Sequence, residues 1–324
     1  CRSLSFDGVK YERIEHALSE DQVTAYDKCA EGWQAVLNAV LKAIEDTNAN
    51  ARTKGYATGH FWAAHQRFFD QIIVSLQLPS VIKSIERDLA AGHAPVVQLV
   101  TTGAAKQGRA IAAMKPGEEY EDLDLSPLES LIGYVRTHFP VQQYEQVTDD
   151  SGKVRTVPVL DSNGNAVLNP EAVEARDRLI VELESLKAFI PANPLDTIIN
   201  HFGHKQVAEI TGRKERLINV TDERGTHLEK ESRNKASNEA DSDAFQDDRK
   251  SVLVFSKAGG TGRSFHADLD AKNQRLRRHY LLQAGWRADA AVQGFGRTHR
   301  SNQKQPPEYI VVGLNVKGQK RFTS

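Results

Sequence analysis

The sequence predicts an α/β fold, a mostly parallel sheet flanked by helices. Short β-rich runs recur at Pro95–Val100, Gln206–Ile210, Arg216–Val220, Ser251–Ser256, His279–Gln283 and Glu308–Val316. Several are separated by helical or polar segments, as crossover connections between parallel strands require. Pro95-Val-Val-Gln-Leu-Val100 is nearly all apolar, the pattern of a strand covered on both faces.

Taken in order, residues 1–70 read as helical. Ser19-Glu20-Asp21-Gln22 has the residues of a helix start, and Val23, Tyr26, Trp33, Val36, Leu37, Val40, Leu41 and Ile44 follow at helical spacing. A second helix carries Phe61, Trp62, His65, Phe68, Phe69, Ile72 and Ile73, aromatics expected to pack between helices. Residues 1–77 are therefore expected to be a helical lead-in, and 78–324 the sheet domain. Pro79-Ser80 precedes a helix with Val81, Ile82, Ile85 and Leu89, and Gly92 ends it. Residues 114–195 break the rhythm and read as an α+β insertion. They hold a helix over Leu128–His138, a turn at Asp161-Ser-Asn-Gly164 between β-rich runs Val154–Val159 and Ala166–Leu168, and a helix over Ala172–Phe189. Asp222–Lys250 reads as a charged loop with one helix.

The 324 residues suffice for a large core, and a formal net charge of -1 gives no global attraction to nucleic acid or membrane. Any basic surface must be local. No apolar run reaches transmembrane length and no signal peptide opens the chain, so no membrane partner is expected. Cys1 and Cys29 are the only cysteines, which fits a reducing cytoplasm and excludes a cysteine-based metal site. The pairs His60/His65 and His201/His204 have only scattered acids near them, so no metal ligands are assigned. The chain opens on Cys1 and its only methionine is Met114, from which a part of a longer protein is expected.

Two segments carry chemistry. Ser251-Val-Leu-Val-Phe-Ser256 leads into Lys257-Ala-Gly-Gly-Thr-Gly-Arg-Ser264, a strand followed by a glycine-rich turn. A phosphate-binding P-loop needs Gly, four residues, then Gly-Lys-Ser/Thr. Here Lys257 stands where the first glycine belongs and Arg263 replaces the lysine. The glycines are instead expected to turn backbone N–H groups toward a ligand at the carboxyl end of the strand, the usual binding edge of open α/β sheets. The second segment, Gln293-Gly-Phe-Gly-Arg-Thr-His-Arg300, places Gln293, Arg297 and Arg300 on what reads as one short helix. Gly296 lets the backbone approach, and two guanidinium groups suit a triphosphate. Between the segments, Asn273-Gln-Arg-Leu-Arg-Arg-His279 is a basic cluster able to meet a nucleic-acid backbone or to stand as a solvated face.

The order of glycine-rich turn, strand, then Gln-x-x-Gly-Arg-x-x-Arg resembles motifs V and VI of superfamily 2 helicases. In detail the chain resembles the strawberry notch family and its bacterial and phage relatives. The likeness rests on Phe61–Phe69, His138-Phe-Pro140, Asn193-Pro-Leu-Asp196, Gln206–Arg213, Gly262–Asp268, Trp286–Asp289, Phe295–Gln303, Pro307-Glu-Tyr309 and Arg321-Phe322. It implies a RecA-like second helicase lobe. Arg300 would be the arginine finger, Arg297 its partner toward the γ-phosphate, and Gln293 a positioner of nucleotide or water. Gly260, Gly262, Ser264 and Gly296 would lie near the nucleotide, with Asp268 coupling the turn to its neighbours. Thr101 and Thr102, with Arg263, Arg275 and Arg278, would contact the nucleic acid, DNA ranked ahead of RNA. Phe265-His266 and Arg263 depart from the common motif V wording.

ATP with Mg²⁺ is the implied cofactor, held mainly by a first RecA-like lobe outside these residues. Neither Asp122-Leu-Asp124 nor Asp241-Ser-Asp243 ends an apolar strand, so neither makes a magnesium site. The resemblance thus implies a cytoplasmic, bacterial or phage-encoded ATP-dependent helicase or translocase whose second lobe cannot hydrolyse ATP alone. The alternative is a non-catalytic scaffold of the transcription-regulatory kind.

Overall fold

The computed structural model describes residues 5–6, 8–100, 102–114, 119–120, 126–223, 225–285 and 288–316. In chain order the first elements are β1 (Lys10–His16), α1 (Glu20–Asp46), α2 (Ala51–Ala90), β2 (Ala94–Leu99), α3 (Ala104–Ala112), α4 (Pro127–His138), β3 (Tyr144–Thr148), β4 (Val154–Pro158) and α5 (Pro170–Glu184). Then follow α6 (Pro194–Phe202), β5 (Val207–Ile210), β6 (Glu215–Asp222), β7 (Gly225–Ser232), α7 (Lys235–Gln246), β8 (Val252–Ser256), α8 (Lys257–Gly260), β9 (Arg277–Leu281), α9 (Ala288–Phe295) and β10 (Glu308–Leu314). Two compact units divide the chain, one from Cys1–Ser19, Ile73–Leu125 and Ala192–Ser324, the other from Glu20–Ile72 and Ser126–Pro191.

The first unit holds a six-stranded, wholly parallel sheet in the order β1-β10-β9-β2-β8-β5. Its central strands are buried along their length, so both faces need apolar cover. On one face Val97, Leu99, Val252, Val254, Tyr280 and Ile310 pack with Val81 and Ile85 of α2 and Leu195 and Ile198 of α6. On the other, Val96, Ala208, Ile210, Leu253 and Phe255 pack with Phe245 of α7 and with Phe265. The period-2 alternation of Val96/Val97 and Leu253/Val254 between the faces is the pleat itself.

Three sequence expectations are corrected. Residues 10–16 are not helical: Lys10–His16 pairs in parallel register with Glu308–Leu314 and closes one sheet edge. Its charges, Lys10, Glu12, Arg13 and Glu15, suit an edge strand and hide the strand signal. β6 is not a sheet strand but half of an antiparallel hairpin with β7, a strand too polar to be foreseen. Pro79 does not begin a helix, because α2 runs through it. The lost N–H is tolerated where Leu76, Leu78, Val81 and Ile85 are all buried along the same helix.

In the second unit Trp33 is the hub. Phe61, His65, Phe68 and Tyr134 surround its ring at centroid distances of 5.3, 5.3, 5.5 and 6.0 Å. The aromatics are core packing as their spacing suggests, with Trp62 half exposed. β3 pairs with β4, and the Asp161 turn closes with Gly164 at φ +80° and a bridge between Leu160 and Ala166. The boundary expected after residue 77 falls inside α2, and residues 126–191 share this unit with residues 20–72.

Candidate functional site

The glycine turn leaves the carboxyl end of β8 as the single helical turn α8. Its glycines are shaped by packing. A Cβ on Gly259 would stand 2.3 Å from the Ile210 carbonyl oxygen, so only glycine lets α8 lie on the end of β5. A Cβ on Gly260 would come within 3.0 Å of the Phe255 ring. Gly262 has φ +77°, a backbone state that side chains disfavour. The expected open cradle of N–H groups is therefore corrected. Gly260 is buried against a ring and Gly259 against a strand, which leaves Gly262 as the exposed glycine of the turn.

The segment after α9 is also corrected. Gln293 lies exposed on α9, but the helix ends at Phe295, so Arg297 and Arg300 are not on it. The chain instead turns tightly, with the amides of Gly296, Arg297 and Thr298 donating to the carbonyls of Val292, Gly294 and Phe295. The Tyr309 hydroxyl donates to the Phe295 carbonyl at 2.9 Å, one more anchor at the helix end. A Cβ on Gly294 would lie 2.1 Å from Gln98 Oε1, so a side chain there would displace the Gln98 amide that meets His279.

Beyond the turn the four residues divide by direction. Thr298 and His299 are buried, while Arg297 is half-buried and Arg300 exposed. Thr298 Oγ1 is 2.7 Å from His279 Nδ1, and His279 Nε2 is 3.0 Å from Gln98 Oε1. His279 is fully enclosed, and burial pushes its pKa down to about 3. A neutral imidazole thus ties the arginine segment to the sheet centre.

Arg297 is bound to the glycine turn. Its Nη1 donates to the Arg263 carbonyl at 2.9 Å, and its own carbonyl accepts from the Phe265 amide at 2.6 Å. Burial, and next the charge of Arg300, lower the Arg297 pKa. Among the described residues neither Arg297 nor Arg300 has a carboxylate within ion-pair distance. Farther along, Asp268 Oδ1 accepts from Asn302 Nδ2 at 3.0 Å, the Lys304 amide donates to the Ala267 carbonyl at 2.7 Å, and Asp268 bridges to Gln303. Ser264 is half-buried, and its carbonyl accepts from Gln246 Nε2 at 3.5 Å. The two motif segments, 262–268 and 297–304, are thus laced together. Phe265 fills the core position of the turn, its ring tilted against that of Phe255 at a centroid distance of 5.2 Å.

The basic cluster turns partly into the fold, with Arg277 and Arg278 buried and Arg275 half-buried. Arg278 is buried and ion-paired with Asp88 at 3.1 Å, Glu308 at 2.5 Å and Glu12 at 2.5 Å. Burial opposes its charge, but these carboxylates more than compensate and its pKa is raised. Arg275 pairs with Asp248 and donates to the His93 carbonyl at 3.3 Å, at the amino end of the sheet, away from the turn. The reason is register: residues 277–281 are a central strand, so its arginines meet helices and not solvent. Thr102 is half-buried beyond the carboxyl end of β2, its carbonyl accepting from Asn193 Nδ2 at 3.5 Å. Thr101, Trp286, Arg287, Arg321 and Phe322 lie outside the described residues.

Arg277 is a residue that composition alone could not single out. It is 1% exposed and has no carboxylate partner among the described residues. It donates to the carbonyls of Phe265, His266, Asn273 and Arg275 and to the side chains of Gln246 and Asn273. Phe245 lies under its guanidinium at 5.0 Å. Burial pushes its pKa down to about 9. It fixes the path of the turn from within.

Residues 193–324 match the helicase C-terminal family described as the C-terminal domain on strawberry notch homologues. Over its whole length the chain is 29% identical to rat protein strawberry notch homolog 1 and 26% identical to protein FORGETTER 1 of Arabidopsis thaliana. It spans 30% and 33% of those two proteins. A part amounting to 47% of the chain is 38% identical to Drosophila melanogaster protein strawberry notch, of which it covers 10%. No solved structure matches the chain. With its parallel sheet and its laced motif segments, the chain carries the strawberry notch C-terminal helicase domain over residues 193–324 and is similar along its whole length to proteins of that name.

Proposed function

We propose that this chain is the second lobe of an ATP-dependent superfamily 2 nucleic-acid motor, with Arg300 as its arginine finger and Arg297 as the partner cation. The observation that carries the reading is the pair itself. Two neighbouring guanidinium groups without a carboxylate partner among the described residues, one of them fastened to a glycine turn at the carboxyl end of a parallel sheet, suit a ligand with several negative charges. An ATP phosphate chain is such a ligand. On it the pair neutralises charge that develops in phosphoryl transfer, with no covalent role for the protein.

The donor set fits a share of this site and not the whole. Among the described residues no group of three His, Cys, Asp or Glu could hold a metal ion, and the turn lacks the P-loop lysine. Magnesium ligands and the phosphate cradle are assigned to another lobe. Magnesium supplies charge neutralisation on the phosphates when bound. Gln293, exposed on α9, is placed in the same reading as a positioner of nucleotide or water.

The test is nucleic-acid-stimulated ATPase of the complete two-lobe protein. Arg300→Ala is expected to lower the rate by about 10³-fold or more. A rate within a factor of about two of the unmodified protein would remove the finger assignment. A complete protein with no stimulated ATPase would favour the transcription-regulatory scaffold.

A further inference from the structure

The segment 295–303 carries more than its arginine pair, and His299 and Gln303 have no part in the site described so far. Resting on the motor reading above, we infer that His299, Gln303 and residues 5–6 ahead of β1 are a positioning device for Arg300. They fix its peptide and leave its guanidinium to the ligand.

The device is a chain of three hydrogen bonds. His299 Nε2 lies 3.0 Å from the Ser5 carbonyl oxygen, which can only accept, so that nitrogen carries a proton. His299 Nδ1 faces the Gln303 amide nitrogen, a donor, at 3.0 Å and therefore accepts from it. With its nitrogen so engaged, the Gln303 amide turns its oxygen to Arg300, whose backbone N–H donates to Oε1 at 3.1 Å. A single arrangement of protons serves all three bonds.

The segment ahead of β1 is placed for this task apart from the strand. β1 has its own register with β10 from Lys10 to His16, which asks nothing of Ser5 or Phe6. Gly8, at φ +79°, and the Val9 amide, donating to the Phe6 carbonyl at 3.2 Å, bend the chain just before it. The Phe6 ring then meets His299 at a centroid distance of 5.0 Å and Tyr309 at 6.2 Å. His299, 6% exposed, is thus braced by a ring as well as bonded at both nitrogens.

Each residue from 297 to 300 has a different anchor. Arg297 holds the Arg263 carbonyl, Thr298 meets His279, His299 meets Ser5, and the Arg300 peptide is held by Gln303. Just beyond, Asn302 donates to the carboxylates of Asp268 at 3.0 Å and Asp270 at 3.2 Å. Among the described residues the Arg300 side chain itself makes no ion pair. A finger whose backbone is set before the ligand arrives needs no reorganisation on meeting it, and a displacement of about 1 Å can cost about 10²-fold in rate. Because Ser5 is the first link, a shift of the chain ahead of β1 reaches Arg300 through two side chains.

The experiment is a double-mutant cycle on the nucleic-acid-stimulated ATPase of the complete two-lobe protein. Gln303→Ala is expected to lower kcat about tenfold or more and to leave KM for ATP within about threefold, since the cation is present but badly aimed. In the Arg300→Ala background the same substitution should change kcat by less than about twofold, because a positioning residue acts only through the residue it positions. Damage to the fold would lower the rate in both backgrounds. Phe6→Ala leaves the arginine segment itself untouched and should follow the same pattern with a loss of about threefold or more. It keeps the test decisive should Gln303→Ala fail to fold. A smaller loss in either variant, or an equal loss with and without Arg300, would overturn the device and leave the motor reading intact. An Arg300→Ala protein at full rate would overturn the motor reading and the device with it.

Discussion

Arg297/Arg300 and Arg275/Arg278 are both pairs of arginines three residues apart, and they have opposite fates. The first follows a helix end, where Thr298 and His299 turn inward and the arginines are left toward solvent. The second enters a central strand, where Arg277 and Arg278 alternate onto the two faces of the sheet. Arg278 finds Asp88, Glu12 and Glu308, whereas Arg277 finds carbonyls. Identical spacing yields a pair with no carboxylate partner among the described residues in one place and a structural ion network in the other. What decides is whether carboxylates await the guanidinium groups in the fold.

That contrast can be broken by experiment. The largest effect is the roughly 10³-fold loss of ATPase expected for Arg300→Ala in the complete protein. Next comes Arg278→Ala, which strands Asp88, 3% exposed, without its cation. Urea unfolding should show a loss of about 3–5 kcal/mol, the cost of an uncompensated buried charge. A loss below about 1 kcal/mol would place Arg278 among ordinary surface pairs.

The third effect is pH dependence through His279. Its folded pKa of about 3 lies below the ordinary imidazole value, so the unfolded chain binds the extra proton. Its contribution is fully present above the unfolded pKa of about 6.5 and is lost as pH falls toward the folded value, at about 1.4 kcal/mol per pH unit. Comparing unfolding of the unmodified chain and His279→Gln between neutral and mildly acid pH isolates it. Equal pH slopes would remove His279 as the acid-sensitive tie. The smallest effect is on stability in Arg300→Ala, about 0.5 kcal/mol or less, because that side chain is exposed and no carboxylate among the described residues pairs with it. A larger loss would mean that Arg300 holds structure and not ligand.

Much of the sheet was legible. Val96–Leu99 and Val252–Ser256 announce buried strands because an apolar run of that length has little else to do in a folded chain. Glu308–Leu314 was equally plain. β1 was not, since an edge strand keeps its charges and is held by backbone pairing with β10. β7 was missed because a hairpin strand exposed on both faces carries no apolar alternation. With it went the approach of Lys214 to Lys235, which are 21 positions apart in the chain and are brought together only once the hairpin closes. The glycine turn was located correctly but its glycines were misread, because tight backbone approach and an open ligand cradle ask for the same residue.

The sequence by itself determined the α/β class, the order of strand, glycine turn, strand and arginine segment, and the likeness to strawberry notch proteins. These are local or cumulative properties: apolar period, turn chemistry and motif spacing along one chain. The tertiary structure alone decided which cations are free. It spent Arg278 on Asp88, buried Arg277 among carbonyls, fastened Arg297 to the turn and brought Lys214 beside Lys235. Charge neutralisation depends on distances of a few ångströms between residues far apart in the chain, and spacing along the sequence does not contain them.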